Sequence, residues 1–310
     1  MTFKLPKLPS PQAGLHELAD FAEIVAWDQG SVSEREVIAF LGRVDDNAHN
    51  DGVNDDEEEA TNLLPDVMIE LERRANACRS GYPFELIREG TVLDYHSENE
   101  ASPESIVYRY LLLSTRLNMK SSKVHADLDG TLLLEKLAAH VLECYLGSRA
   151  KSLVFGTAET GTFRHKVEQL CETLCEGVGF RALDNNATVH AVDDKLDAVA
   201  WIPFHDSTPG QLIVFGQCKT GSNWSGLVTQ LQPSDFAKRW FKEPFLVDPM
   251  RVFCLSEALD RTRRKSTQVS AGIIFDRCRL VDFCDGFNTA DIERWTDAAF
   301  DSFSIGDLTC

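Results

Sequence analysis

Two short apolar runs, rich in β-branched and aromatic residues, flank a polar break. They are KLDAVAWIPF (Lys195–Phe204) and QLIVFGQCK (Gln211–Lys219), with HDSTPG (His205–Gly210) between them. Such runs around a Pro-Gly break predict two strands and a turn. With the turn closed by Phe204, Pro203 pairs with Gln211 and antiparallel partners sum to 414, which sets Asp197 opposite Gln217. Side chains two apart share a strand face, so Gln217 and Lys219 project together while Cys218 points into packing. A carboxylate, an amide oxygen and an ammonium then converge on one patch of sheet.

Helical spacing marks most of the remaining chain. It predicts helices over His16–Trp27, Ser33–Leu41 (capped by Ser31 or Ser33), Asn62–Cys78, Glu104–Asn118 and Asp129–Leu146, the last ended by Gly147. Asp45–Glu59 (DDNAHNDGVNDDEEE) is acidic, poor in apolar residues and expected to be a loop, as is Ser97–Pro103. Tyr82–Asp94 suits a short helix or strand. Thr160–Glu176 predicts a helix whose apolar stripe is Phe163, Val167, Leu170, Cys171 and Leu174, with Glu168 at its border. A strand near Phe180–Leu183, a turn at Asn185–Asn186 and an approach over Val189–Val192 lead to Asp197. Beyond Lys219 the pattern predicts a helix over Trp224–Gln232, a break at Pro233 and a second helix from Ser234 to Phe241. It continues with a strand over Arg251–Leu255, a basic helix within Ser256–Val269, strands at Ala271–Phe275 and Arg279–Phe283, and a helix over Thr289–Phe300.

This is a mixed α/β pattern with a mainly helical first part. The division expected is 1–120, an accessory or partner-docking region with the acidic loop 45–59, and 121–310, with a core at 160–285. No apolar run approaches the roughly 20 residues that span a bilayer, and the first residues lack a signal-peptide core, so a cytoplasmic protein is expected. Nine cysteines without a CxxC spacing fit buried thiols in a reducing compartment. The net charge of −18 argues against a protein that coats nucleic acid nonspecifically. The balance reverses locally: from Lys219 to Arg279 there are 11 basic and 6 acidic residues. A basic segment that starts at the Gln-x-Lys triplet suits a local polyanion site.

Asp197, Gln217 and Lys219 offer hard oxygens and a point charge, the groups that Mg²⁺ and a phosphate require. The backbone carbonyl of Cys218 is a further ligand candidate. Glu168, on the preceding helix, is the candidate for the remaining acid, with Glu172 and Glu176 as alternatives. Asp193 is the reserve for Asp197, and Gln230 is a candidate contact from the following helix. Arg261, Arg263, Arg264 and Lys265 suit either a solvated helix face or contacts to a phosphate backbone. Trp224 and Trp240 suit core packing or base stacking.

The order helix, strand, strand with Asp197, strand with Gln217 and Lys219, helix, strand resembles the PD-(D/E)xK restriction-endonuclease-like nuclease superfamily. The form it resembles is D…QxK, in which Gln replaces the second acid, and the resemblance covers about residues 160–285. It implies a mixed sheet flanked by helices and Mg²⁺-dependent hydrolysis of DNA phosphodiester bonds, with Mn²⁺ able to substitute. By analogy it also implies a bacterial restriction or antiviral defence setting beside an NTPase or helicase partner, and a homodimer if both strands are cut. The alternative is a catalytically silent adaptor that keeps the fold for binding nucleic acid or a partner protein.

Overall fold

Short capped segments and apolar strands build the chain in the order in which they were spelled. The computed structural model describes residues 3–10, 13–46, 55–96, 102–157, 161–182 and 194–303, with backbone only over 42–46 and 55–64. The elements begin with α1 (Leu15–Gln29), β1 (Ser31–Ser33), α2 (Glu34–Asp46), α3 (Asp55–Cys78), β2 (Phe84–Ile87) and β3 (Val92–Tyr95). Next come α4 (Pro103–Arg116), β4 (Val124–His125), β5 (Leu128–Asp129), α5 (Gly130–Leu146), β6 (Lys151–Val154) and α6 (Phe163–Leu174). The chain continues through β7 (Ala198–Ile202), β8 (Leu212–Lys219), α7 (Pro233–Trp240), β9 (Met250–Leu255) and α8 (Arg261–Ala271). It closes with β10 (Ile273–Phe275), α9 (Arg277–Asp282) and α10 (Ala290–Phe300).

The principal sheet has the order β10-β9-β8-β7-β6, with β6, β7 and β8 antiparallel and β8, β9 and β10 parallel. The fold is therefore mixed α/β, as the pattern predicted. The register of the organising hairpin agrees as well, since Ala198 pairs with Gly216 and Ile202 with Leu212.

Side-chain caps start several helices. Asp129 accepts from Thr131 N at 2.8 Å, and Thr162 accepts from His165 N at 3.3 Å. Ser33 and Glu36 exchange bonds as a capping box, with Ser33 N donating to Glu36 Oε2 at 2.7 Å and Glu36 N to Ser33 Oγ at 3.3 Å.

Several elements differ from expectation. Asp45 and Asp46 belong to α2 and Asp55–Glu59 to α3, so both ends of the expected acidic loop are helical. Low hydrophobicity does not oppose a helix when Glu and Ala, good helix formers, supply it. The rest of that tract, residues 47–54, lies outside the described residues, as do 97–101 and 183–193, with Asn185, Asn186, Val189–Val192 and Asp193. Tyr82–Asp94 forms a hairpin of two strands, β2 and β3. Phe180 makes a single bridge to Phe241 in place of a strand. Of the expected Trp224–Gln232 helix only a 3-10 turn forms, at Ser225–Leu227. Pro233 starts α7 in place of breaking a helix, because a helix's first residue needs no N–H partner. Arg279–Phe283 lies in and beside α9, whose cap is Asp276, and is not a strand.

The two sheet faces pack differently. Ala198, Ala200, Val214, Cys218, Val252 and Cys254 face a core shared with Leu134, Leu137 and Leu142 of α5, and this core extends from Phe3 to Ala299 across residue 120. On the other face, Val199, Trp201, Ile213 and Phe215 pack against α6 and α7. Further along that face, Phe253, Leu255 and Ile274 pack with Trp224, Val228, Leu259 and Ala271.

Beside the first core lies a buried ion cluster. Asp20 accepts from Arg74 at 2.7 Å, from Arg116 at 2.6 Å and from Arg277 at 2.9 and 3.0 Å. Glu23 accepts from Arg74 at 2.9 Å and from the hydroxyls of Tyr82 and Tyr108 at 2.9 and 2.7 Å. Burial pushes the Asp20 carboxyl up, but Arg277, Arg116 and Arg74 together outweigh it and hold the group well below the usual carboxylate range. The cluster reaches the sheet through Arg277, whose Nε donates to Ser256 O at 3.1 Å.

Candidate functional site

The polar residues that sequence singled out sit in the seam between the two apolar clusters of one sheet face. Alternation along β8 puts Ile213 and Phe215 in the first cluster and carries Gln217 and Lys219 onto the same face. Their neighbours on β9, Phe253 and Leu255, belong to the second cluster. Between the clusters, Leu231 packs with the first and Val228 with the second, and Gln230 stands between them.

Asp197 immediately precedes β7 and turns its carboxylate into the ladder. Asp197 N donates to Gly216 O at 2.9 Å, and Cys218 N donates to Asp197 Oδ2 at 2.6 Å. The side chain thus takes the amide that an extended partner strand would have met with a backbone carbonyl. Strand alternation turns the Cys218 carbonyl towards the same side, because Gly216 and Cys218 share an edge orientation while Lys219 O accepts from Ser256 N on the β9 side at 3.2 Å. The Cys218 thiol points to the α5 core. It is pushed well above its ordinary value by its hydrogen bond with Cys254 and by burial, so it is a neutral packing group.

Gln217 is fully buried, and its Nε2 donates to Gln230 Oε1 at 3.3 Å. Its Oε1 has no hydrogen-bond partner among the described residues. Leaving such an acceptor unmet costs about 1–3 kcal/mol. Lys219 is half-buried, and among the described residues its ammonium forms no ion pair.

Glu168 is not brought to this place. Its carboxylate is 39% exposed and pairs with Arg164 at 2.9 Å, one turn away on α6. A different buried acid lies near Asp197: Glu135, on α5, which like Asp197 acts on the Cys218 thiol. Glu135 is buried, and its Oε1 accepts from Thr157 Oγ1 at 2.9 Å. The next residue back, Gly156, shares with Phe155 the carbonyl of Asp197, each amide donating at 2.9 Å. Residues 155–157 therefore touch both carboxylate-bearing residues. A Cβ on Gly156 would lie 2.5 Å from Glu135 Oε2, so glycine is what admits the carboxylate there. Glu135 stands on the helix that precedes the sheet's first strand, β6. That element order is its available signal, and β6 carries too weak a strand pattern to reveal it.

Lys166 is a second residue that sequence reasoning passed over. It shares the buried side of α6 with Phe163, Val167 and Leu170, and its Nζ donates to Gly156 O at 2.6 Å and Phe155 O at 3.3 Å. Trp224 and Trp240 are core residues whose indole N–H groups donate to Glu257 and Asp194.

The basic helix α8 begins beyond the end of β9, on the edge of the sheet where β8 delivers Lys219. Arg264 is bound to Asp276, while Arg261, Arg263 and Lys265 are exposed. Among the described residues no three His, Cys, Asp or Glu side chains gather for a metal. The set at hand is two carboxylates, an amide oxygen and a strand carbonyl. Among the described residues no helix is long and apolar enough to cross a membrane. Set beside protein-family models, curated proteins and solved structures, the chain matches none.

Proposed function

We propose that this chain is a Mg²⁺-dependent DNA endonuclease with the restriction-endonuclease-like PD-(D/E)xK architecture in its D…QxK form. The observation that carries the reading is the buried Gln217 oxygen, without a hydrogen-bond partner among the described residues, one residue from the Cys218 amide that Asp197 binds and on the same face as Lys219. An oxygen held in that state fits a hard cation, and so does an all-oxygen donor set. Asp197, Gln217 and Glu135, with the Cys218 carbonyl, are the groups that would hold Mg²⁺ or Mn²⁺. Bound there, the ion would polarise the scissile phosphate and acidify a water.

The chain's own residues supply the rest. Lys219 places a compact positive charge against the phosphate as negative charge builds on it. Gln230 holds the Gln217 amide so that its oxygen stays turned away from solvent. Arg261, Arg263 and Lys265 would receive the phosphate backbone beyond the cut. A cytoplasmic place in bacterial defence, an NTPase or helicase partner and a homodimer for double-strand cuts complete the proposal by analogy.

The test is cleavage of plasmid and linear DNA by purified protein with Mg²⁺, Mn²⁺ or EDTA, beside Lys219→Ala. Metal-dependent cutting that is lost in K219A is the expected outcome. DNA binding without cleavage under every metal, unchanged in K219A, would favour the adaptor.

A further inference from the structure

Lys166 is a buried ammonium that forms no ion pair among the described residues. Burying such a charge is costly unless strong acceptors surround it. Its acceptors are two consecutive backbone carbonyls, those of Phe155 and Gly156. A charge spent on backbone implies that the position of that backbone matters.

The segment it grips has three other attachments. Phe155 N and Gly156 N donate to the Asp197 carbonyl, Thr157 Oγ1 donates to Glu135, and the Gly156 Cα lies against the Glu135 carboxylate. Phe155 is itself fixed, with its ring edge-on to Phe163 and Phe236 at 6.0 and 5.8 Å. These contacts tie residues 155–157 to the α6–α7 packing on one side and to the candidate ligands on the other.

From this geometry we infer that Lys166 is a positioning residue. Its ammonium clamps the Phe155–Gly156 carbonyls and, through residues 155–157, sets the placement of Glu135 relative to Asp197 for a divalent cation. The inference rests on the metal-site reading above. It gives α6 a role different from the one its exposed acid suggested. The helix contributes a buried cation that holds the ligands' support, and Glu168 lies about 200° round the helix from it.

The test is Mn²⁺ binding to the full chain, followed by the electron paramagnetic resonance signal of free Mn²⁺, with melting recorded for every variant. Asp197→Asn defines the site-specific component. Lys166→Met is expected to weaken that component by about tenfold, the scale of loss when a ligand's support is removed, and Lys166→Arg to restore part of it. Gly156→Ala is the second variant. The three atoms nearest its Cβ all belong to the movable end of Glu135, so the fold should survive while the carboxylate is displaced and Mn²⁺ binding falls similarly. Should K166M not fold, G156A decides. Folded K166M, or G156A in its place, binding Mn²⁺ as tightly as the parent overturns the positioning role. No Asp197-dependent Mn²⁺ binding in the parent overturns the metal-site reading, and this inference with it.

Discussion

The molecule holds two buried polar constellations, and they differ in how completely they are satisfied. Around Asp20 and Glu23, three fully buried arginines and two tyrosine hydroxyls meet the acids, and the nitrogen left without a hydrogen bond among the described residues, Arg116 Nη1, still has the Glu17 carboxylate 3.7 Å away. Around Asp197 and Gln217, an amide oxygen has no partner and a lysine has no counter-ion among the described residues. Both constellations combine acids with cations, so residue type does not separate them. Unspent bonding capacity does. The first set pairs each acid with arginines and holds helices together, whereas the second leaves an acceptor and an ammonium unmatched among the described residues.

Removing an acid from the first set should have the largest effect. Asp20→Ala leaves Arg116 and Arg277 buried without their shared carboxylate, and a loss of about 3–5 kcal/mol in urea unfolding is expected. A loss under about 1 kcal/mol would mean that the cluster is not structural. The same set governs acid stability. Asp20 and Glu70 both titrate below their ordinary values of 3.8 and 4.5, Glu70 because Arg73, His16 and Arg74 outweigh its burial. The stability they contribute is complete above those values and is lost as pH falls beneath them. The melting temperature should therefore be flat down to about pH 5 and drop below about pH 4.

The second set should behave in the opposite way. Gln217→Met removes an unmet acceptor along with one long amide bond, so stability should stay within about 1 kcal/mol of the parent while metal-dependent cleavage disappears. Destabilisation beyond about 2 kcal/mol would identify Gln217 as a structural residue. The smallest effect belongs to Glu168→Ala, with stability within about 0.5 kcal/mol and cleavage unchanged. Glu135→Gln should reduce cleavage at least about tenfold, and equal activities for these two variants would contradict the placement of the acid on α5.

How legible each part was in the sequence follows from the range of the interactions that form it. The β7–β8 register could be read because a short turn ties it to local pairing; the ladder runs to Ala198 and Gly216, and Asp197 beyond it bonds Gly216 and Cys218. The stripe of α6 could be read from spacing, but the presence of Lys166 inside it could not, because its acceptors lie on a loop ten residues back. Glu135 was hidden by β6. KSLV is four residues long, only partly buried and on a sheet edge, and it carries little of the β-branched signal that marks a strand. Without that strand, the helix before Asp197 is Thr160–Glu176, and its acid at the border of the apolar stripe is Glu168. The Arg279–Phe283 error is similar, since RLVDF suits either state and only the Asp276 cap decides for a helix. The ion cluster left no local trace, for its members are up to 257 positions apart.

That separation has a consequence for how the protein comes into being. Asp20 and Arg277 can meet only after the chain between them has been made, and long-range contacts of this kind close late in folding. Arg277 also holds Ser256 O, while Ser256 Oγ accepts from Gly221 N at 3.1 Å, two residues beyond Lys219. A nascent or truncated chain that stops short of Arg277 therefore lacks the fastening behind Lys219. The end of β8 is thus secured only by residues made well after it.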